Sequence, residues 1–342
     1  MTDKMHDLHP SINGLVTIGI TAYNAEDSIE SAVRSALEQR YRPIEIVIVN
    51  DASTDGTASI LDLISPYHPE VKIIHRDENG GVAIARNEII ANSRGEFVAF
   101  FDDDDRSEPN RIEVQLERLL DYEARFANNA LVICHSARKQ IYPDGLERIE
   151  KTMGEAVGQV VPNGPAVARR ILLGEALADA YGSLATCSQL ARRNVYAAIG
   201  GFDPTFRRSE DTDFSIRLAL QGGHFVGVSA PLVIQSMTPG SEKRLAEEHR
   251  YMAMIFMKNR ELLDQHTGLE FALNWLDVRH TWLAGNRLRF LIKLLCLGLR
   301  HPRPTIYRII MAAPNYRLNQ TFRKFHQDID GRDFAPGQRR RD

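Results

Sequence analysis

Cysteine is scarce in this chain: Cys134, Cys187 and Cys296 are the only three among 342 residues, and they lie far apart. An odd, scattered set forms neither a disulfide framework nor a zinc pattern, so a reducing compartment is expected. Tryptophan is scarcer still. Trp275 and Trp282 are the only two, and their helical spacing reads as core packing. No run of about 18 apolar residues occurs, so no membrane-spanning helix is expected. The opening residues, MTDKMHDLHPSING, lack the apolar heart of a signal peptide, and a cytoplasmic location follows as the expectation. Neither sign of charge dominates. A net charge of -3 argues against a dedicated nucleic-acid binder. Two nucleotide-binding signatures are also missing. No G-x-G-x-x-G follows the first apolar run, and no G-x-x-x-x-G-K-[ST] occurs, which excludes the dinucleotide and P-loop readings.

What is present is an alternation. Four short apolar runs, Leu15 to Thr21, Ile44 to Val49, Val71 to His75 and Phe97 to Phe101, read as buried strands. Between them lie helical patterns. In the first, Ile29, Ala32, Val33, Ala36 and Leu37 share one face, with Asn24 or Asp27 as the expected cap. The second covers about 57–64 and the third Gly81 to Ala91. A β-α-β-α-β-α-β order predicts a mostly parallel sheet with helices on both faces. Ligands of such sheets bind beyond the carboxyl ends of the strands. The residues there are Thr21, Ala22 and Tyr23 after the first strand, Asn50, Asp51 and Ala52 after the second, and Asp102 to Asp105 after the fourth.

Four consecutive aspartates at the end of a buried strand repel one another. A bound cation relieves that repulsion, and hard oxygens suit Mg²⁺ or Mn²⁺. A solvated acidic turn, capping a following helix with Pro109 in its first turn, is the competing reading. Beyond it, Arg111 to Tyr122 reads as a helix and Ala130 to Cys134 as a strand. The Gly- and Pro-rich stretch 144–168 reads as a mobile loop. Ser209 can cap a helix that begins at Glu210 and Asp211 and ends at Gly222-Gly223. Phe225 to Val233 is a last strand candidate. Acidic residues in a first helical turn also serve the helix dipole, so Asp211 has a structural reading beside any chemical one. His75, His135 and Cys187 read as structural.

Five motifs follow in order: VTIGITAYN, VIVNDASTDGT, NGGVAIARNEII, FFDDDD and GGFDPTFRRSED. Together, over about residues 15–235, they resemble family 2 glycosyltransferases of the GT-A fold. The resemblance implies a GT-A (Rossmann-like) mixed, mostly parallel sheet, a nucleotide-sugar donor, usually UDP-linked, a divalent metal, and inversion at the anomeric carbon. Residue by residue, it places Thr21, Ala22 and Tyr23 at the uracil, and Asp51 as an acceptor from the base. Arg86 falls at the nucleotide site. Asp102 and Asp103 fall at the nucleotide and Asp104 at the metal, although Asp103-x-Asp105 is also a D-x-D register. Asp211 matches the catalytic base, with Glu210 in support. The Q-x-x-R-W signature of processive synthases is missing, which implies one sugar per encounter. A catalytically silent nucleotide- or glycan-binding adaptor is the alternative. A nucleotidyltransferase is disfavoured, because TAYNAED is not a Gly-rich basic loop.

The expected organisation is a leader at 1–14, a catalytic domain at 15–238 and a helical region at 239–330, followed by a disordered tail at 331–342. The catalytic domain divides into a nucleotide half, 15–106, and an acceptor half, 107–238. Within the helical region, Leu288 to Leu299 is strongly apolar and flanked by Arg287, Arg289, Arg300 and Arg303. Such a segment, 287–303, suits either packing on the catalytic domain or peripheral contact with the cytoplasmic face of an anionic membrane, where a lipid-linked glycan acceptor would reside.

Overall fold

A computed structural model of the chain describes residues 14–143, 145–237, 242–266 and 268–312. The expected leader apart from Gly14, the stretch around Gly240 and the expected tail lie outside those residues. The chain divides into two compact units. One comprises residues up to 170 with 177–237; the other comprises 171–176 with the residues from 238 onward.

The elements up to residue 237 are, in chain order, β1 (Val16–Ala22), α1 (Ile29–Leu37), β2 (Ile44–Asn50), α2 (Thr57–Ile64), β3 (Val71–His75), α3 (Val82–Asn92), β4 (Phe97–Asp102), β5 (Asp105–Ser107), α4 (Arg111–Tyr122), β6 (Val132–Ile141), β7 (Glu147–Glu150), α5 (Pro165–Leu173), β8 (Gln189–Arg192), α6 (Arg193–Ile199), α7 (Glu210–Leu220) and β9 (His224–Ser236). Among the described residues nine strands form one sheet, in the order β3-β2-β1-β4-β8-β6-β9-β5, with β7 paired to β6. The first four are parallel, as the alternation predicts. Beyond β4 the sheet is mixed: β8 runs antiparallel to β4 and β6, β9 parallel to β6, and β5 antiparallel to β9.

Strand alternation sends Val16, Ile18 and Ile20 to one face, where Ile29, Val33 and Ala36 of α1 and Ile112 and Leu116 of α4 join them in a core. The opposite face meets α3 closely. A Cβ at Gly19 would come within 2.5 Å of Ile89, so glycine is what lets that helix seat. On the same side Phe100, Tyr196, Phe202 and Phe214 form an aromatic cluster with ring centroids 5.0–6.3 Å apart. Each such pair adds about 0.5–1.5 kcal/mol beyond area burial.

Several local expectations need correction. Neither Asn24 nor Asp27 caps α1. Ser28 holds that position, and the Asn24 side chain instead accepts from the Thr54 amide at 2.8 Å. Ser209 precedes α7 but makes no side-chain cap, because its φ of 59° puts the backbone in the left-handed region. Pro109 lies before α4 rather than in its first turn. β6 extends to Ile141, because the residues past Cys134 find partners in both β9 and β7. The stretch expected as a mobile loop contains β7 and the start of α5.

The second unit contains α8 (Glu242–Lys258), α9 (Arg260–Asp264), α10 (Leu269–Leu283), α11 (Arg287–Arg300) and α12 (Pro302–Ala312). Phe271, Val278 and Leu297 join α10 to α11, with Trp275, Phe290 and Leu294 around them. Trp275 thus packs as expected, and Trp282 lies against Phe290 with centroids 4.9 Å apart. Asn286 caps α11, its side chain accepting from the Arg289 amide at 3.2 Å. No helix among the described residues is long and apolar enough to cross a membrane.

Candidate active site

The parallel strands β1, β2 and β4 deliver their last residues to one edge. Thr21 lies in register with Val49 on one side and Asp102 on the other. Ala22 is buried, and its carbonyl accepts from the Asp51 amide at 2.8 Å. Tyr23 presents an exposed ring while its amide donates to Asp103 Oδ2 at 3.0 Å. Thus the residue after β1 is tied directly to the aspartate run after β4.

The loops around that edge are locked to each other. Asn24 N donates to Ser53 Oγ at 3.0 Å, Ala25 N to Thr57 Oγ1 at 2.8 Å, and Gly56 N to Glu26 at 2.8 Å. Asp55 accepts from the Glu26 and Thr57 amides. Asn24 and Ala52 both sit at positive φ, 51° and 58°. Backbone strain of this kind persists where surrounding bonds over-determine it, and it clusters at functional sites. Sequence reasoning missed this lock, although the Ser, Thr and Asp content of NDASTDGT is the signal for it.

Asp51 is buried, and both its oxygens are engaged. They accept from the Gly80 amide at 2.9 Å and the Gly81 amide at 2.7 Å, and Arg76 Nε lies 3.2 Å away. Its observed work is therefore to hold the turn that starts α3. Gly81 has φ 88°, which disfavours any side chain there.

Arg86 is the centre of the arrangement. It projects from α3, is buried, and its guanidinium lies 5.9 Å from the Phe100 ring and 5.4 Å from the Phe202 ring. One nitrogen donates to Glu210 at the start of α7, the other to Asp102 at the end of β4, at 3.3 Å. Burial opposes its charge, but Glu210, Asp102 and Asp211 together hold it protonated. The expected nucleotide-site arginine is thus committed to bringing the two carboxylate clusters together. The segment between α6 and α7 is further held by Asn87 of α3, which exchanges two bonds with Phe202 at 2.7 and 2.8 Å.

Asp211 is half-buried, and its Oδ1 accepts from Thr212 N at 2.6 Å. Burial and the Glu210 charge push its pKa up to about 6, with Arg86 pulling the other way. Asp213, two residues on, is buried and paired to Arg217 at 2.7 Å.

The four aspartates differ sharply. Asp103 is pushed up to about 7 by burial and the flanking carboxylates, against the Tyr23 amide. Asp104 is exposed. Asp105 is buried, pushed up to about 8 by burial and by Asp102 and Asp104, and neither of its oxygens meets a nitrogen or oxygen donor. Asp102, Asp105 and Cys187 place one ligand atom each within 4.8 Å of one another; Asp104 is not in that group. Cys187, read from sequence as structural, is therefore part of the cluster. Its thiol is kept protonated by burial, which makes it a poor ligand for a hard cation. The carboxylates fit one. Two buried arginines moderate the negative charge. Arg138 donates to Ser183 and Gln235, each at 2.8 Å. Arg111 donates to the Phe100 carbonyl at 2.9 Å and lies 4.3 Å from the Phe101 ring.

A parallel first half, a mixed second half, aspartates after β4 and acids opening a late helix define a GT-A glycosyltransferase fold. Residues 17–177 match the model of glycosyl transferase family 2, and the chain carries a domain of that family. A putative teichuronic acid biosynthesis glycosyltransferase of Bacillus subtilis, TuaG, is 37% identical over 113 residues, 33% of this chain and 45% of that protein. The chain thus spans less than half the length of this relative. Among solved structures, residues 1–349 of S. aureus TarS in complex with UDP superpose with a TM-score of 0.50 at 17% identity, over 94% of this chain and 95% of that one. The mannosyltransferase PcManGT of Pyrobaculum calidifontis, in complex with GDP-Man and Mn²⁺, gives a TM-score of 0.55 at 17% identity, over 94% and 89%. At such identities these two establish the fold.

Proposed function

We propose that this chain is an inverting glycosyltransferase that moves one sugar from a nucleotide sugar, UDP-linked in preference, to a hydroxyl of a glycan or lipid-linked glycan in bacterial surface polysaccharide or glycolipid synthesis. The observation that carries this reading is Arg86. It joins Asp102, at the end of a parallel strand where nucleotides bind, to Glu210 beside Asp211, where a base is needed. The relatives' UDP and GDP-Man complexes support a nucleotide-sugar donor of this kind.

In the proposed reaction the acceptor oxygen attacks the anomeric carbon from the face opposite the nucleotide. The bond from that carbon to the acceptor oxygen forms as the bond to the phosphate oxygen breaks. The acceptor proton passes to an Asp211 oxygen, and the nucleoside diphosphate leaves with the electron pair. A carboxyl titrating at about 6 is ionised at neutral pH yet more basic than an ordinary aspartate, as general-base work requires. Thr21, Ala22 and Tyr23 border the base, with the exposed Tyr23 ring free to stack on it. Asp51 supports the α3 turn and offers its remaining lone pairs to the base. Asp103, through the Tyr23 amide, fixes the β1 edge to the aspartate run. Asp102 and Asp105, with Asp104 between them as the residue expected at the metal, would hold a divalent ion, and Mn²⁺ or Mg²⁺ bound there would supply Lewis-acid charge at the diphosphate.

Calorimetry of UDP and GDP, with and without Mn²⁺, tests the reading on wild type, Asp104→Ala and Asp105→Asn. Metal-dependent UDP binding that either variant weakens supports it. Absence of binding by any nucleotide overturns it.

A further inference from the structure

Helix α11 is apolar on two sides, and among the described residues only one of them is covered. Phe290, Leu294 and Leu297 face α10. Leu288, Leu291, Ile292, Leu295 and Leu299 are exposed by 53–76%. At helical spacing those five fall within an arc of about 100°, opposite the packed side. The next helix continues the feature, with Ile306, Tyr307, Ile309 and Ile310 of α12 exposed. An apolar surface of this extent on a folded unit marks an interaction site.

Charge identifies the occupant. The chain as a whole carries a net charge of -3, yet residues 278–327 hold ten Lys and Arg and no Asp or Glu. On the helical wheel Arg287 borders one edge of the stripe, and Arg289 and Arg300 border the other; all three are exposed, as is Arg303 at the start of α12. Cations at both margins of an apolar stripe suit a helix lying in a bilayer interface, where long side chains reach outward to headgroup phosphates. The 14 residues of α11 are too few to span the bilayer. A second copy of the same cationic face would meet it with like charge.

We propose that the exposed face of α11 and α12 docks on an anionic phospholipid bilayer, the helices lying in the plane of the interface. This rests on the second unit alone and stands or falls independently of the donor site.

The test is flotation of the full chain with vesicles of phosphatidylcholine and phosphatidylglycerol, and with phosphatidylcholine alone. Wild type should float with the anionic vesicles and be released by high salt. Leu291→Glu with Leu295→Glu should stay at the bottom of the gradient while melting at the wild-type temperature, since both side chains are exposed. Arg289→Glu with Arg303→Glu should weaken binding by about fivefold or more per arginine. Failure of wild type to float, or equal flotation of the leucine variant, overturns the proposal. So does light scattering that shows a wild-type dimer converted to monomer by Leu291→Glu, since the face would then be an interface between copies.

Discussion

Removing Arg86 should do two separable things. Its guanidinium answers Glu210 and Asp102 directly and Asp211 through space, and it is buried against two aromatic rings. Deleting one partner of a buried ion pair leaves uncompensated charge and costs about 3–5 kcal/mol. Arg86→Ala should therefore melt roughly 6–20 °C lower, at about 2–4 °C per kcal/mol for a protein of this size. Arg86→Lys keeps the charge but cannot fork to two carboxylates, so a loss on the order of 1–2 kcal/mol is expected. The second effect is on Asp211, the proposed base. Arg86 holds the Asp211 pKa down against burial and Glu210, with a resulting value of about 6. Weakening that attraction raises the pKa further, by one unit for each ~1.36 kcal/mol of interaction lost. The rate of donor hydrolysis or transfer rises with pH as Asp211 ionises, so its acid limb should sit near pH 6 in wild type and higher in both variants. The assay is the pH profile of kcat/KM beside thermal melts. If the melting temperature falls while the acid limb stays in place, Arg86 is a packing residue, and the assigned coupling to Asp211 is wrong.

Other perturbations probe the rest of the site. Asp211→Asn should lower kcat by about 10²–10⁴-fold and leave UDP affinity unchanged by calorimetry; unchanged turnover would remove it as the base. Asp105→Asn should stabilise the chain in the presence of a chelator by about 1–3 kcal/mol and weaken stabilisation by Mn²⁺, read by melts with and without the ion. Because burial keeps the Asp105 carboxyl protonated, its stabilising share is greatest at low pH. That share fades as pH rises from the ordinary carboxylate range through about 8, a slope the asparagine variant should lack. Gly81→Ala, at φ 88°, should lose more than about 1 kcal/mol in chemical denaturation, because alanine is strained there and the Asp51-held turn must shift.

The parallel half of the sheet was legible because its signals are local. Apolar strands of five to seven residues, helical spacing at Ile29, Ala32, Val33 and Ala36, and polar residues at strand ends depend on near neighbours along the chain. The same holds for the exposed stripe on α11, since a 3.6-residue period and flanking arginines are written in order. The sequence by itself determined β1 to β4, the helices between them, the aspartate run and the candidate base.

Tertiary structure alone decided who meets whom. Four aspartates look alike in a row, but the strand ending at Asp102 and the short β5 beginning at Asp105 bury one carboxyl and expose its neighbour. Cys187 lies 82 residues beyond Asp105, and only the pairing of β8 with β4 and β6 brings that segment to the cluster. Arg86 and Glu210 are 124 residues apart. Their pairing follows from α3 and α7 sharing one face of the sheet, and no local pattern encodes it. The oxygens of Asp51 accept from amides of a turn 29 and 30 residues away, a tie that no local pattern shows. Buried charge is strong only where low-dielectric packing surrounds it, and that packing exists only once distant segments have folded together.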